Sequence, residues 1–403
     1  MAKEIKLEDK LLGLSNKYKM YLGNEFLETG YTMIDMLLGG GLPMNKMIEI
    51  FSESGYGKTT VVLSICKNLC KKGHRVLYID AEGSIDNLVE SMGFYSDNLV
   101  WSPEHPERPF TIIQTSYFED IEEILENLIP KYDEKGNPTD SDFRLVVIDS
   151  VAMLAPKEYK GDVGEKDGIS IASNKPGVIA KLMTAFCKKF NGYKTAFNMS
   201  FFFINQLRED LSMSFVKDQN KTTGGKALHY AEDITIKLIA RKGGGETKKT
   251  ITTGAGEKQE IVTGREVGIK TIKNKITVSG IVLPLQIIYG KGISNLAAMP
   301  YILPHKIIQT KNGGEVRMLE TSGAWSTLNF NIYEKDEKGL IKLDKEGNPI
   351  LLETKTLRCN GKEQVKNAIY ENRFDIFPFI KSEDFKLLVE EGADGGDYDD
   401  KGE

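Results

Sequence analysis

Residues 47–60 read Met-Ile-Glu-Ile-Phe-Ser-Glu-Ser-Gly-Tyr-Gly-Lys-Thr-Thr. A short apolar run, the pattern of a buried strand, feeds a loop that ends in Gly57-Lys58-Thr59. Val61, Val62, Leu63, Ile65, Cys66 and Leu69 then carry a helical period. Strand, loop, Gly-Lys-Thr and helix in that order are the layout of a phosphate-binding P-loop. Backbone N–H groups of such a loop wrap anionic phosphates, and the helix N-terminus adds favourable dipole charge. The loop Ser52, Glu53, Ser54, Gly55, Tyr56, Gly57, Lys58, Thr59 and Thr60 is therefore the expected nucleotide cradle. Lys58 would meet the β- and γ-phosphates, and the Thr59 hydroxyl would help hold Mg²⁺. One position departs from the pattern: Ser52 stands where the consensus has Gly, and Gly55 is placed to supply the lost backbone freedom.

Working outward, three more apolar runs end in polar residues. Arg75–Ile79 leads to Asp80-Ala81-Glu82, Leu145–Ile148 to Asp149-Ser150, and Ser200–Ile204 to Asn205-Gln206. Open parallel sheets bind ligands at the C-terminal ends of their strands, so these ends form the second half of a nucleotide site. Asp149 is the expected Mg²⁺-supporting carboxylate. Glu82 is placed to orient or deprotonate the attacking water. Gln206 could reach a γ-phosphate. Each signal alone is an ordinary capped strand end; four in one chain point to a site.

The same segments resemble the bacterial RecA recombinases and, more loosely, their phage-encoded counterparts. The likeness runs in family order over roughly residues 30–330. It includes Gly40–Met44, the P-loop, Tyr78–Glu82, Val147–Ala152, Pro156-Lys157 and Phe203–Arg208. It continues through Thr222–Gly225 with Ala227-Leu228, Lys273–Ile276, Ile288–Ile293 and Gly323–Trp325. The resemblance implies ATP and Mg²⁺ as cofactors, with Asp86 and Tyr289 also at the nucleotide. It implies a DNA-binding loop from Arg208 to Thr223 that includes Leu211, Met213 and Phe215, with Thr223, Gly224, Gly225 and Lys226 at its end. A first DNA loop would run from Lys157 to about Asn174. Lys273 and Lys275 match a pair that reaches the neighbouring subunit's ATP, which makes them catalytic in trans alongside Glu82, Lys58 and Gln206.

The chain departs from the family pattern at Ser52, at Val89 in place of an aromatic against the base, and at Glu209-Asp210 after Arg208. Apolar side chains at Leu211, Met213 and Phe215 suit contact with unstacked bases. Pro130–Asp142 and Gly243–Gly264 read as surface loops or hairpins grafted onto the core.

The formal net charge of −5 sits oddly with a DNA partner. Residues 390–403 hold seven acidic side chains and one lysine, and without them the remainder is about +1. This tail reads as disordered, either a mimic that competes with DNA or a solubilising terminus. Four cysteines without a C-x-x-C pair fit a reduced compartment. No apolar run reaches the length of a membrane span, and the N-terminus starts no signal peptide.

The expected fold is α/β: a RecA-like P-loop ATPase core with a central, mostly parallel twisted sheet. Residues 1–32 would be an N-terminal oligomerisation segment with a short helix over Leu7–Tyr21. The core would span 33–294, an α+β C-terminal domain 295–389, and the acidic tail 390–403. Within the C-terminal domain, Asn331–Thr354 reads as a hairpin-like pair that includes Ile341–Leu352 and turns at Lys345–Pro349, and Gly361–Arg373 reads as a helix. The expected function is an ATP-dependent recombinase that coats single-stranded DNA as a helical filament. It would exchange strands with homologous double-stranded DNA, assisted by single-strand-binding and mediator proteins, in the cytoplasm of a bacterium or phage-infected host. A regulator without strand exchange and a ring-forming DNA motor on the same core remain open alternatives.

Overall fold

The computed structural model describes residues 24–157, 178–209, 220–222, 225–242, 245–252, 258–336, 340–372, 376 and 398–399. The helix expected over Leu7–Tyr21 lies outside these residues, as do most of the first DNA loop and residues 210–219.

A short ladder pairs β1 (Phe26–Leu27) with β2 (Leu42–Pro43), bracketing helix α1 (Thr32–Leu38). The main sheet is assembled from β3 (Met47–Ser52), β4 (Arg75–Asp80), β5 (Phe110–Gln114), β6 (Phe143–Asp149), β7 (Ser200–Glu209), β8 (Asn220–Thr222) and β9 (Ile234–Arg241). It continues with β10 (Glu246–Thr252), β11 (Lys258–Asn274), β12 (Val282–Ile288) and β13 (Gly292–Ser294). Its order is β13-β12-β11-β9-β3-β7-β6-β4-β5. From β9 to β5 all neighbours run parallel, and from β9 to β13 they run antiparallel. The central strands are buried on both faces, which is why they read as continuous apolar runs.

Helices cover both faces. On one side α2 (Lys58–Lys71) packs Val61, Val62, Ile65, Cys66 and Leu69 into a cluster with Ile48, Ile50, Val147 and Ile204. Each such fully buried aliphatic side chain contributes about 1.5–3 kcal/mol relative to exposure. Helix α3 (Asp86–Ser91) joins the same layer. On the other side α4 (Phe118–Leu128), α5 (Val178–Phe197) and α6 (Gly225–Ala231) pack against Ile79, Ile148, Phe201 and Phe203. The architecture is the α/β core expected from the strand-end signals.

Both insertions are peripheral. Pro130–Asp142 forms a small turn with a Tyr132–Pro138 bridge. Among the described residues of the Gly243–Gly264 region, β10 pairs antiparallel with the leading half of β11.

Beyond Ser294 come α7 (Met299–Ile302), the two-stranded ladder of β14 (Ile307–Gln309) and β15 (Glu315–Arg317), and a sheet of β16 (Leu319–Ser322), β17 (Trp325–Tyr333) and β18 (Leu351–Asn360). Helix α8 (Gly361–Glu371) buries Val365 and Ile369, close to the expected bounds. The expected pairing of Asn331 with Thr354 is present in the β17–β18 ladder, and within its connection Leu343 bridges Pro349 while the Asp344 N–H donates to the Asn348 carbonyl at 2.8 Å. Leu328, Phe330, Val365 and Ile369 belong to the same apolar cluster as Leu283 and Ile287, so this region shares its core with the main sheet. In the tail expected to lack structure, Tyr398–Asp399 (β19) pairs with Arg241 and Ala240. It uses the edge of β9 beyond Lys237, where the ladder to β3 has ended. All four cysteines are free and buried, Cys359 included although it lies in a polar stretch of sequence. Among the described residues no helix is long and apolar enough to cross a membrane.

Candidate active site

The loop after β3 turns on two left-handed glycines, Gly55 (φ +79°) and Gly57 (φ +84°). Ser52 completes β3, opposite Gln206 of β7, without positive φ. The departure from Gly at this position therefore costs no backbone strain. Its hydroxyl donates to the Glu53 carbonyl at 2.8 Å and accepts from Lys58 Nζ at 3.2 Å. Lys58 opens α2 and donates also to the carbonyls of Ser52 (3.1 Å) and Glu53 (2.8 Å). Burial pulls its ammonium below the usual lysine range, and the carboxylates of Asp149 and Glu82 oppose that shift.

Gly57 is constrained twice. A Cβ there would sit 2.5 Å from Ile287 Cδ1, whereas one on Gly55 meets nothing within 4 Å. Gly57→Ala is thus expected to cost about 1–2 kcal/mol for the left-handed backbone, to displace the Ile287 methyl, and to weaken nucleotide binding. Gly55→Ala should carry only the backbone cost. Thermal melts and nucleotide titrations of the two variants check this; equal nucleotide affinities would remove the case for a packed constraint at Gly57.

The remaining polar groups arrive from adjacent strand ends. Thr59 Oγ1 donates to Asp149 Oδ2 at 3.0 Å, and the buried Tyr78 hydroxyl donates to the same oxygen at 2.6 Å. Burial pushes the Asp149 carboxyl up to about 6, with those two hydrogen bonds acting in the opposite direction. Glu82 Oε1 accepts from Ser150 Oγ at 2.7 Å and from Gln206 Nε2 at 2.9 Å. Asp80 fixes the Glu82 loop by accepting from the backbone N–H groups of Glu82, Gly83, Ser84 and Ile85. The structure thus brings Lys58, Thr59, Asp149, Glu82 and Gln206 to the C-terminal ends of β3, β4, β6 and β7.

Asp86 begins α3 and is exposed; the turn holding Tyr289 packs against the end of that helix, where a Gly290 Cβ would lie 3.5 Å from Ser91 Cβ. Val89 is fully buried in the core, so it offers no face to a base. Lys273 and Lys275 lie away from the cluster, at the end of β11. Lys273 Nζ donates to the His229 carbonyl at 2.7 Å, and Lys275 Nζ pairs with Asp233 Oδ1 at 2.8 Å. The pair is not part of the same protomer's phosphate site.

The backbone of Arg208 lies in β7, which continues past Gln206 and pairs with β8 through Leu207–Thr222, Arg208–Lys221 and Glu209–Asn220. The expected second DNA loop therefore has a paired base one residue beyond Gln206. Leu211, Met213, Phe215, Thr223 and Gly224 lie outside the described residues; Gly225 and Lys226 open α6.

Sequence reasoning gave no role to Tyr78, Asp80 or Ser150, although each sits within the strand-end motifs. Arg265 had no signal at all: its guanidinium lies 5.3 Å over the Tyr56 ring, and Nη1 donates to the Gly55 carbonyl at 3.4 Å.

Hydroxyl and carboxylate oxygens on Thr59 and Asp149 suit a hard cation that takes its other ligands from phosphate and water. The described residues hold no cluster of three or more His, Cys, Asp or Glu arranged for a metal.

A family model described as the RecA N-terminal domain matches residues 9–294. Protein RecA of Rhodospirillum rubrum is 28% identical over 384 residues, covering 94% of this chain and 84% of its own. Protein RecA of Mesoplasma florum is 31% identical over 321 residues, covering 79% of this chain and 80% of its own. A crystal structure of the RadB recombinase aligns with 66% of this chain and 98% of its own at 19% identity, with a TM-score of 0.44. With the family model spanning most of the chain and full-length relatives near 30% identity, the chain belongs to the RecA family of recombinase ATPases.

Proposed function

We propose that the chain polymerises on single-stranded DNA as a head-to-tail filament and drives homologous pairing and strand exchange, with ATP hydrolysis stimulated by DNA. The observation that carries this reading is the convergence of Lys58, Thr59, Asp149, Glu82 and Gln206 on neighbouring strand ends. Lys58 would hold the β- and γ-phosphates. Thr59 and Asp149 would hold Mg²⁺, which when bound neutralises charge on the phosphate oxygens. Glu82 would take the proton of the water that attacks the γ-phosphorus, leaving ADP and inorganic phosphate. Ser150 and Gln206 set the orientation of Glu82 through the two hydrogen bonds to Oε1.

Gln206 sits directly before the β7–β8 ladder, so a change at its amide has a short path to the loop that would contact DNA. Arg208, Leu211, Met213, Phe215 and Thr223–Lys226 are the proposed DNA-contacting residues, and Asp86 and Tyr289 the further nucleotide contacts. Lys273 and Lys275 would complete the neighbouring protomer's site, the logic of a charge supplied in trans. Such heterologous interfaces, when they do not close, build helical filaments. Residues 1–32 would serve that assembly, and the setting would be the bacterial nucleoid or a phage-infected cytoplasm.

The test is steady-state ATP hydrolysis with and without long single-stranded DNA, for the parent and for Lys273→Ala/Lys275→Ala. The expected result is strong DNA stimulation in the parent, lost in the double variant, followed by strand exchange in the parent. Hydrolysis indifferent to DNA, or a double variant that performs as the parent, would favour a regulator or a ring-forming motor.

A further inference from the structure

A row of polar side chains crosses the otherwise apolar sheet. In register, Glu49 of β3 lies opposite Phe203 of β7 on one side and Thr235 of β9 on the other; Thr235 in turn lies opposite Lys273 of β11. Cross-strand partners share a face of the sheet, and Asn205, two residues past Phe203, shares it too. Glu232, just after α6, reaches the same row. Asn205, Glu49 and Glu232 are all sealed from solvent.

A series of contacts and cross-strand neighbours leads from the Glu82 cluster toward Lys273. Gln206 Nε2 donates to Glu82, and the Gln206 backbone N–H donates to Asn205 Oδ1 at 2.9 Å. Asn205 Nδ2 donates to Glu49 Oε1 at 2.7 Å. Glu49 lies opposite Thr235 in register, and Thr235 joins it to Glu232, whose carboxyl is close enough to feel the Glu49 charge. Glu232 Oε1 accepts from Thr235 Oγ1 at 2.6 Å and lies 3.0 Å from His229 Nδ1, while the His229 carbonyl receives Lys273 Nζ. The next residue, Asp233, holds Lys275 and is braced by Lys194 at 2.6 Å. Asp233 thus holds Lys275 directly, and Glu232 reaches Lys273 through His229.

We propose that Glu232, beside Glu49, is the positioning residue for Lys273 and links it to Asn205 and Gln206. The γ-phosphate end of one site and the lysines offered to the next protomer's site are then held as one unit. This inference rests on the reading of Lys273 and Lys275 as acting in trans.

Two neighbouring carboxyls away from water cannot both ionise. Burial first, and the Glu49 charge second, push Glu232 up to about 9, against Thr235 and Lys273. At neutral pH Glu232 is therefore the group that keeps its proton, and its Oε2 is buried without a hydrogen-bond partner. The titratable groups facing the pair are Cys187 from α5, His229 from α6 and Lys273 from β11; the Cys187 thiol is pushed up to about 12 by burial first and then by the two acids. Packing alone does not call for such a pair, because apolar residues of similar volume are often as stable or more so.

The experiment measures DNA-stimulated ATP hydrolysis against ATP concentration for the full chain, Glu232→Gln, Glu232→Leu, Lys273→Ala and the Glu232→Leu/Lys273→Ala combination. Glu232→Gln, a neutral isostere, should keep kcat and cooperativity. Glu232→Leu should lose cooperativity and about tenfold in kcat with KM for ATP nearly unchanged, the scale of a broken coupling between sites. In the Lys273→Ala background it should cost nothing further. The parent should also lose turnover as pH rises through about 9, where Glu232 ionises, and Glu232→Gln should not. Should Glu232→Leu fail to fold by thermal melt, this pH comparison decides alone, and identical profiles for parent and Glu232→Gln overturn the proposal. Parent-like kinetics in a folded Glu232→Leu, or losses that multiply with those of Lys273→Ala, also overturn it and leave the trans reading standing. Lys273→Ala at the parent rate would sink the trans reading and this inference together.

Discussion

Lys58→Ala is expected to abolish nucleotide-dependent filament formation and to lower ATP turnover by roughly 10²–10³-fold, the scale of losing one preorganised group from a transition-state site. The ammonium sits where the loop closes on the start of α2, with three oxygen acceptors from Ser52 and Glu53 around it. All three of its N–H donors are engaged there, so the ammonium meets phosphate by exchanging loop acceptors for phosphate oxygens. Alanine removes the charge and also leaves three acceptors without their donor. Any effect on the fold is therefore separable: a melt reports the acceptors, and a nucleotide titration reports the charge. Lys58→Ala binding nucleotide and turning it over like the parent would show that the loop is not the phosphate site.

Much of this site was legible because parallel strands buried on both faces leave continuous apolar runs, and the run ends mark where the sheet stops. Glu82, Asp149 and Gln206 each follow such a run, and the structure joins them as that placement suggests. The P-loop carried its own grammar of Gly, Lys and Thr.

What was not legible depends on contacts between distant segments. Glu49 interrupts an apolar strand, yet its partner Glu232 is far along the chain and was hidden in a helix-to-strand corner. Tyr78 looked like one more buried strand residue until its hydroxyl was seen against Asp149. The full extent of the β17–β18 ladder is illegible for a related reason. The turn signal at Lys345–Pro349 marks the reversal that sets Asn331 opposite Thr354, but nothing local shows that the ladder runs on to Trp325 and Asn360. Register over such a distance is set by which face is buried, and only the packed core decides that.

Glu82→Gln is expected to keep ATP-dependent filaments while reducing turnover by roughly 10²–10⁴-fold, the usual contribution of a positioned general base. The argument lies in the two donors around Oε1. Ser150 Oγ and Gln206 Nε2 both point hydrogens at that oxygen. In the amide, the carbonyl oxygen can take the same place and accept both. The flipped orientation would set its NH₂ against the Gln206 NH₂ and is disfavoured. The variant should therefore keep Gln206 in position, and with it the start of the β7–β8 ladder, while lacking a group able to accept a proton from water. The Glu82 loop itself stays tied by the four N–H groups that Asp80 accepts. Filament imaging and single-turnover hydrolysis on the same sample separate the two roles. Filaments that form but do not release DNA, with hydrolysis nearly stopped, are the expected pair of results. Hydrolysis at the parent rate would mean that another group takes the proton, and loss of filaments would mean that the carboxylate charge is needed for assembly and not only for chemistry.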